Sequence, residues 1–344
     1  MTAYVTRRLI LLPLIIFGVT LLIFVMLTRL SPSQRVALYV SDNAKTDAAS
    51  MDRLIEEYGL NDPIPQQYAR WVKQVAGGNL GFSKTGKEPV ADVIRNRLPA
   101  SVELALWGMI PVLFVGIQLG VLAALRHNRA TDHILRIFSI VGTSTPSFVA
   151  GLLLLMYFAA HLGWFPTGER LTIANQRFVD SGAWTSATGL YTVDALINGR
   201  LDIFRDALWH LILPIITLSY ISWATLLRVT RSSMLETLRQ DYVRTAHAKG
   251  LAHRWVIQKH ALPNAMLPVA TLGGALLVGL VNGVPITETI FNRAGLGKAA
   301  IDAAVNLDIV AVLGFTMFSA CLIIVGNLLV DMTYSVLDPR VRLN

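Results

Sequence analysis

The sequence predicts an all-α polytopic membrane protein with six transmembrane helices, and three observations lead to this fold class. Of the 344 residues, 53% are hydrophobic and only 15% are charged, whereas an ordinary soluble domain has about 25% charged residues. The mean hydropathy is +0.53. Six long stretches contain no Asp, Glu, Lys or Arg, and each reaches the roughly 20 residues that a membrane-crossing helix needs. These stretches are Leu9–Thr28, Leu104–Leu125, Ile137–Gly168, Ala207–Leu227, His260–Thr287 and Ile309–Val330.

The same composition excludes several other classes of protein. The apolar runs rule out a soluble enzyme and a disordered chain, and the single cysteine, Cys321, rules out a disulfide scaffold. We interpret Cys321 as a small core residue of the last run. A barrel of the outer membrane is excluded because its strands are about 10 residues of alternating polarity. The net charge of +8 indicates basic residues at the cytoplasmic ends of helices rather than nucleic-acid binding.

The N-terminal part is predicted to be an anchor followed by a small extracytoplasmic segment. Residues 1–30 form the anchor, in which Arg7 and Arg8 precede the apolar run Leu9–Thr28. This run is too long for a signal peptide, and no A-x-A cleavage site follows it. Residues 31–97 form the extracytoplasmic segment. Within it, Met51–Val75 has apolar residues at helical spacing, and two prolines divide it into two helices.

The remaining five helices are predicted to form a transmembrane core, residues 98–337, with both chain termini in the cytoplasm. Arginines lie before the first span and in the loops after the second and fourth spans, and such basic loops face the cytoplasm. The loop after the fourth span, 232–264, is therefore cytoplasmic, and so is the tail, 338–344. The segment Gly168–Asp206 has four arginines against five acids and is predicted to lie outside.

Small residues and prolines inside the predicted spans indicate a bundle with a polar cavity. Gly116-x-x-x-Gly120 and Gly279-x-x-x-Gly283 allow close approach of helices. Prolines within the spans free backbone carbonyls, which a membrane tolerates only where protein or water satisfies them.

The sequence has no motif of an enzyme or of an energy-converting site. The nearest approach to a phosphate-binding loop, Gly297-Lys298, lacks the flanking residues, and H-E-x-x-H and G-x-S-x-G are absent. The spacing of His247, His253 and His260 does not suit a metal site on one helix face. A proton-coupled carrier would require ionisable residues inside its spans, and no Asp, Glu, Lys or Arg lies inside a predicted span. We therefore expect no catalytic, cofactor or metal site in this chain, and either passive transport or energy from another chain.

The loop after the fourth span predicts two short amphipathic helices that meet at Gly250. Apolar residues at helical spacing precede this glycine, and Leu251 and Trp255 begin a second stripe after it. A large apolar face in a loop needs something to cover it. Two interpretations remain open: packing on the membrane surface or on other loops, and docking of a soluble partner in the helix-in-groove manner.

This loop resembles the signature of binding-protein-dependent ABC importer permeases, the so-called EAA loop. Gly250 corresponds to its glycine and His260-Ala-Leu-Pro263 to its end, and Asp241–Leu251 is similar to the variant of oligopeptide and dipeptide permeases. Arg244 stands where the general motif has Glu, as in that variant. Further matches to the B-type subunit of this family are Arg7-Arg8-Leu9, Tyr58–Pro63, Gly78–Ser83, Arg228–Glu236, Glu288–Phe291, Gly295-Leu-Gly297, Asn327–Tyr334 and Asp338–Arg342.

The resemblance implies a non-enzymatic permease subunit of a peptide importer in a bacterial or archaeal cytoplasmic membrane, in contact with membrane lipid. Its implied partners are a second homologous permease, two ATP-binding subunits that bind the ATP, and an extracytoplasmic substrate-binding protein. The apolar residues of the loop are then expected to be buried anchors on the ATPase, with a polar rim around them. The docking residues implied are Tyr242, Arg244, Thr245, Ala246, Lys249, Gly250, Leu251 and Trp255.

Polar residues in three of the predicted spans are candidates for a translocation path, namely Thr143, Ser144, Ser147, Tyr220 and Asn282. A neutral polar lining suits zwitterionic peptides. Serine and threonine in membrane helices also bond to their own backbone or to a neighbouring helix. Three alternatives to peptide import stay open: nickel or oligosaccharide cargo, a stand-alone secondary carrier or channel, and a membrane scaffold without transport.

Overall fold

The protein is almost entirely helical in the computed structural model, which describes residues 2–39 and 48–337. The predicted tail, 338–344, and the side chains of Arg7 and Arg8 lie outside the described part. A hairpin of two short strands, β1 and β2, is the only sheet among the described residues. The elements are α1 (Thr2–Leu27), α2 (Pro32–Arg35), α3 (Ala48–Glu57), α4 (Ile64–Ala76), β1 (Phe82–Ser83), β2 (Glu88–Pro89), α5 (Val90–Leu125), α6 (Ala130–Ser144), α7 (Ser147–Leu154), α8 (Ile173–Asp180), α9 (Tyr191–Ile197), α10 (Leu201–Leu238), α11 (Asp241–Ala248), α12 (His253–Trp255), α13 (Leu262–Val281), α14 (Pro285–Ile290), α15 (Leu296–Val305) and α16 (Ile309–Leu337).

Four described helices are long and apolar enough to cross a membrane, and a bent pair brings the number to five if the pair is counted as one span. The four are Val90–Leu125, Leu201–Leu238, His253–Val281 and Ile309–Val330. The described apolar part of α1 is shorter, Pro13–Leu27. The chain is thus a polytopic helical protein, and the count of six spans stays a prediction. The predicted domain boundary at residue 98 lies inside α5, because this helix begins at Val90.

The third predicted span is two helices rather than one. α6 and α7 meet at an angle of 100° across a break of two residues. Pro146 causes the break, because a proline lacks the N–H that would continue the helix and forces the residue before it into an extended conformation. Thr145 is accordingly extended, with φ −89° and ψ 121°. A π-helical segment, Leu155–His161, continues α7.

α5 and α10 pack side by side and run in the same direction, and glycines on α5 allow the close approach. A Cβ on Gly116 would lie 2.8 Å from Leu226 Cβ, and one on Gly120 would lie 2.5 Å from Thr230 Cβ. The first of the two predicted Gly-x-x-x-Gly contacts is therefore confirmed. In the second pair, a Cβ on Gly279 would meet no described atom within 4 Å, so this glycine makes no close helix contact in the chain.

The bundle has two distinguishable ends. The end of α5, the end of α10 and the start of α13 come together beside residues 239–261, which we call the elbow, and this is the elbow end. The opposite end, called the far end, carries α8, α9, α14 and α15. α3, α4 and the strand hairpin also lie at the far end, where Trp71 packs in one core with Phe24 and Val310.

The predicted extracytoplasmic segment is divided at its prolines. α3 ends at Glu57 and α4 begins directly after Pro63, and Pro65 lies in the first turn of α4, where its missing N–H would have no helical partner. Asp308 ties the hairpin to the start of α16: its Oδ2 accepts hydrogen bonds from Ser83 Oγ at 2.7 Å and from Thr85 N at 2.9 Å.

Candidate functional site

A sharp turn at Gly250 closes the elbow. Gly250 has φ +76°, in the left-handed region that glycine adopts without steric cost. Its N–H donates to His247 O at 2.9 Å, and the N–H of Leu251 donates to Ala246 O at 3.4 Å. These two bonds form a Schellman motif, which satisfies the last carbonyls of α11 and turns the chain away from the helix axis. The predicted role of Gly250 in joining two helices is thus explained by its backbone.

The second helix of the elbow is the beginning of a span rather than a separate short helix. α12 continues through a π-helical segment, Val256–Ala261, into α13, so one helix runs from His253 to Val281. Pro263, the last residue of the matched motif, lies inside this helix. The wide π turn before it accommodates the ring, which would otherwise clash with the carbonyl four residues earlier.

The inner face of the elbow packs in a small core of its own. Val243, Val256 and Ile257 are buried there together with Ala124, Met234, Ala246, Ala261 and Ala265. Ala246, which was predicted to anchor a partner, is therefore covered by this chain, because it faces α10 and α13 on the helix side opposite to solvent. Its contribution is to hold α11 in place.

The outer face of the elbow exposes three large apolar side chains. Trp255 is 61% exposed, and Tyr242 and Leu251 are each 42% exposed. The buried inner face fixes the backbone that carries them, so they form a rigid apolar surface at the elbow end. Such a surface is typical of an interaction site.

Charged and polar side chains surround these apolar residues. Arg244 Nη1 lies 3.4 Å from Asp241 Oδ1, and Thr245 Oγ1 donates to Asp241 O at 2.9 Å. Lys249 is exposed at the end of α11. In the described part of the chain, no group of three or more His, Cys, Asp or Glu side chains is placed to hold a metal ion.

Four of the five predicted path residues lie near the α6–α7 bend. Thr143, Ser144 and Ser147 flank it, and Tyr220 of α10 donates its hydroxyl hydrogen to Val141 O at 3.0 Å. Val141 O also accepts from the N–H of Thr145 at 3.0 Å, so the Tyr220 bond is an additional contact that joins α10 to the bend.

The fifth predicted path residue lies apart from the others. Asn282 follows the last residue of α13, at the far end, whereas the bend lies beside Tyr220 in the middle of α10. Its Oδ1 is buried, and no described group donates to it. The structure therefore brings four of the five residues together.

A buried ion cluster at the far end escaped the sequence analysis. Glu103 of α5 and Arg293 are each only 1% exposed, and Arg293 Nη2 lies 2.6 Å from Glu103 Oε2. Arg170 Nη2 lies 2.9 Å from the same oxygen, and Thr192 donates to Oε1 through its N–H at 2.8 Å and its hydroxyl at 3.0 Å. Burial lowers the pKa of the Arg293 guanidinium to about 10, while Glu103 beside it favours the charged form.

A second buried carboxylate, Glu288, joins α14 to α15 and α5. Its Oε1 accepts from Ser101 Oγ at 2.7 Å, and its Oε2 accepts from Lys298 N at 2.9 Å. A side chain at Gly295 would collide with this carboxylate, and a Cβ on Gly297 would lie 3.0 Å from Oε2. The two glycines are therefore needed for the backbone to approach Glu288. In the sequence this glutamate belongs to the matched segment Glu288–Phe291, and nothing local indicates its buried contacts.

Comparison with protein families identifies the chain. The model described as "Binding-protein-dependent transport system inner membrane component" matches residues 116–343, and its N-terminal companion matches residues 1–105. The chain belongs to this family of transport permeases. It is a multi-pass membrane protein. The family expected from the motifs of the sequence is confirmed.

Curated relatives match this permease over nearly its full length. The oligopeptide transport system permease protein AppB of Bacillus subtilis is 37% identical over 343 residues, which are 99% of this chain and 100% of AppB. The di/tripeptide transport system permease protein DppB of Pseudomonas aeruginosa is 39% identical over 342 residues, 99% of each chain. The probable D,D-dipeptide transport system permease protein DdpB of Escherichia coli is 37% identical over 328 residues, 95% of this chain and 94% of DdpB.

The motifs that carried the resemblance fall at the two ends of this permease. Asp241–Leu251 builds the elbow, and Pro263 lies where the elbow helix enters the bundle. Glu288 and the segment Gly295-Leu-Gly297 form one hydrogen-bonded unit at the far end. The two glycines follow Glu288 by 7 and 9 positions in the chain.

Proposed function

We propose that this chain is one of two permease subunits of an ABC importer for di- or oligopeptides. The support for the cargo is that relatives at 37–39% identity over nearly the whole chain are named as oligopeptide, di/tripeptide or D,D-dipeptide permeases. The chain then forms half of the translocation pathway and catalyses no reaction, while ATP is bound by partner subunits. Identification of the ligand that co-purifies with the cognate binding protein tests the cargo, and nickel or an oligosaccharide in that protein would contradict it.

We further propose six spans with both termini and the elbow end in the cytoplasm. Helix directions support this arrangement, because α5 and α10 run towards the elbow end and α13 runs away from it. The positive-inside rule agrees, since arginines follow α5 and occupy the end of α10. The test starts from the Cys321→Ala variant, which has no cysteine. A single cysteine is then introduced at an exposed position, by Lys249→Cys or by Ala187→Cys. A membrane-impermeant thiol reagent added to intact cells should label only the cysteine at 187, and labelling only at 249 would reverse the orientation.

The elbow is proposed to dock an ATP-binding subunit, and one observation carries this proposal. Trp255, Leu251 and Tyr242 are exposed at one end of the bundle although the backbone beneath them is packed in a core. Aromatic side chains on a rigid surface are the residues that most often dominate protein interfaces. Arg244 and Lys249 then belong to a polar rim around them.

The continuous helix from the elbow into the bundle supports a coupling role. Because α12 and α13 are one helix, a displacement of Trp255 by a partner would be carried into the fifth predicted span. A second homologous permease is proposed to supply the other half of the path, and an extracytoplasmic binding protein to deliver the peptide at the far end. Thr143, Ser147 and Tyr220 near the bend are proposed to line that path.

The docking proposal is tested with Trp255→Ala and a matched control. Trp164→Ala removes an equally large and similarly exposed indole at the far end. Both variants should insert and keep their thermal stability, since neither side chain is buried. We expect Trp255→Ala to lose co-purification of the ATP-binding subunits and peptide-stimulated ATP hydrolysis, and Trp164→Ala to keep the co-purification. Equal co-purification by both variants would contradict docking at the elbow.

A further inference from the structure

A basic cleft lies between α6 and α10 at the elbow end, next to the proposed path and apart from the elbow. It has a volume of about 320 Å³ and is lined by Arg136, Arg228 and Arg231 together with Ser139, Ile140, Leu227 and Ser232. Three arginines therefore share one small cavity that also has apolar side chains in its lining.

The positive charge of this cleft is only partly compensated within the described chain. Arg231 is paired with the buried carboxylate of Asp132, through Nε at 2.7 Å and Nη2 at 2.8 Å. Arg228 makes one hydrogen bond, from Nη2 to Thr143 Oγ1 at 3.3 Å. Arg136 is exposed and has no described hydrogen-bond or ion-pair partner. Two cations thus face the cavity without a counter-ion among the described residues.

The cleft lies at the level where the apolar surface of the bundle ends. Arg136 immediately precedes the charge-free run that begins at Ile137, and Arg228 immediately follows the run that ends at Leu227. The helices around it expose large apolar side chains, among them Ile134 and Ile137. Arginines at this level place their guanidinium groups among lipid headgroups while their stems lie along apolar surface.

We propose that this cleft binds the phosphate of an anionic phospholipid, with phosphatidylglycerol as the probe. The guanidinium groups of Arg136 and Arg228 pair with the phosphodiester, since planar guanidinium groups bind phosphate oxygens in two-point contacts. Ile140 and Leu227 contact the glycerol and the start of an acyl chain. Basic pockets between membrane helices bind lipid headgroups in this manner. The proposal rests on the membrane setting of the bundle and not on the cargo or on docking at the elbow.

Lipid binding is measured on the full-length protein by native mass spectrometry in detergent with added phosphatidylglycerol or phosphatidylcholine. The variants are Arg136→Gln, Arg228→Gln and their combination, and Arg129→Gln is a control that removes an exposed arginine of the same end outside the cleft. Each arginine near a headgroup raises the affinity about fivefold. We therefore expect the affinity for phosphatidylglycerol to fall roughly twenty-five-fold in the double variant. Arg129→Gln and phosphatidylcholine binding should change less than twofold.

Two further measurements keep the proposal falsifiable if the double variant does not fold. A photoactivatable phosphatidylglycerol added to the wild-type protein in nanodiscs should label peptides from α6 and from the last turns of α10. Labelling of neither would overturn the proposal, as would unchanged phosphatidylglycerol binding in a folded double variant. Inorganic phosphate at millimolar concentration should not displace the lipid; displacement would show a site for a free phosphate, and loss of labelling when partner subunits are present would show a protein interface instead.

Discussion

The backbone conformation of Gly250 makes a quantitative prediction about the elbow. A Cβ added at this position would meet no described atom within 4 Å, so a substitution there acts through φ and not through a clash. An alanine held at φ +76° costs about 1–2 kcal/mol, which corresponds to a factor of roughly 5–30 in an equilibrium. Asparagine costs less because it enters the left-handed region more readily.

Hydrogen exchange of the peptide that covers residues 241–251 measures this cost. We expect the amides of Gly250 and Leu251, which close the Schellman motif, to exchange roughly 5–30 times faster in Gly250→Ala than in the wild type, and Gly250→Asn to lie in between. Equal exchange in the three proteins would refute the structural reasoning. Gly250→Asp is isosteric with the asparagine variant and adds one charge to the outer face. In the assembled transporter it should abolish peptide-stimulated ATP hydrolysis, and normal stimulation would refute the docking role.

Four further substitutions test the packing of the bundle by thermal unfolding in detergent. Gly120→Ala should destabilise the α5–α10 contact by about 1–3 kcal/mol because of overpacking, whereas Gly279→Ala, which has open space around it, should change stability by less than about 0.5 kcal/mol. Glu103→Gln should cost about 3–5 kcal/mol, since it leaves two buried arginines without a counter-ion; a loss below about 1 kcal/mol would contradict the buried cluster. Tyr220→Phe should cost about 1 kcal/mol because it removes the hydrogen bond to Val141 O, and an unchanged unfolding temperature would show that this bond contributes nothing.

Features that depend on residues close together in the chain were predictable from the sequence. The charge-free runs mark helices because a membrane core excludes unpaired charge. The division of the extracytoplasmic segment at Pro63 and the turn at Gly250 follow from the backbone preferences of those two residues. The family could also be named from motifs, each of which spans fewer than about a dozen residues.

Features that depend on contacts between distant parts of the chain were not predictable in this way. Glu103 and Arg293 are separated by 190 positions, and no local pattern distinguishes either from an exposed charge. The burial of Ala246 depends on which side of α11 faces α10, and an isolated amphipathic helix does not reveal whether its apolar side covers its own chain or a partner. The position of Pro263 inside a continuous helix was also not predictable, because a proline ends a helix only if the preceding turn cannot widen around it.

The wide turn at Val256–Ala261 also has a geometric consequence for the segment before it. A π turn holds more residues than an α turn, and successive residues of an α-helix are about 100° apart around its axis. Rewinding this turn to ordinary α geometry would change the direction of the Trp255 indole relative to α13 by an angle of that order. The π turn therefore sets the direction in which the exposed indole points from the helix that continues into the bundle.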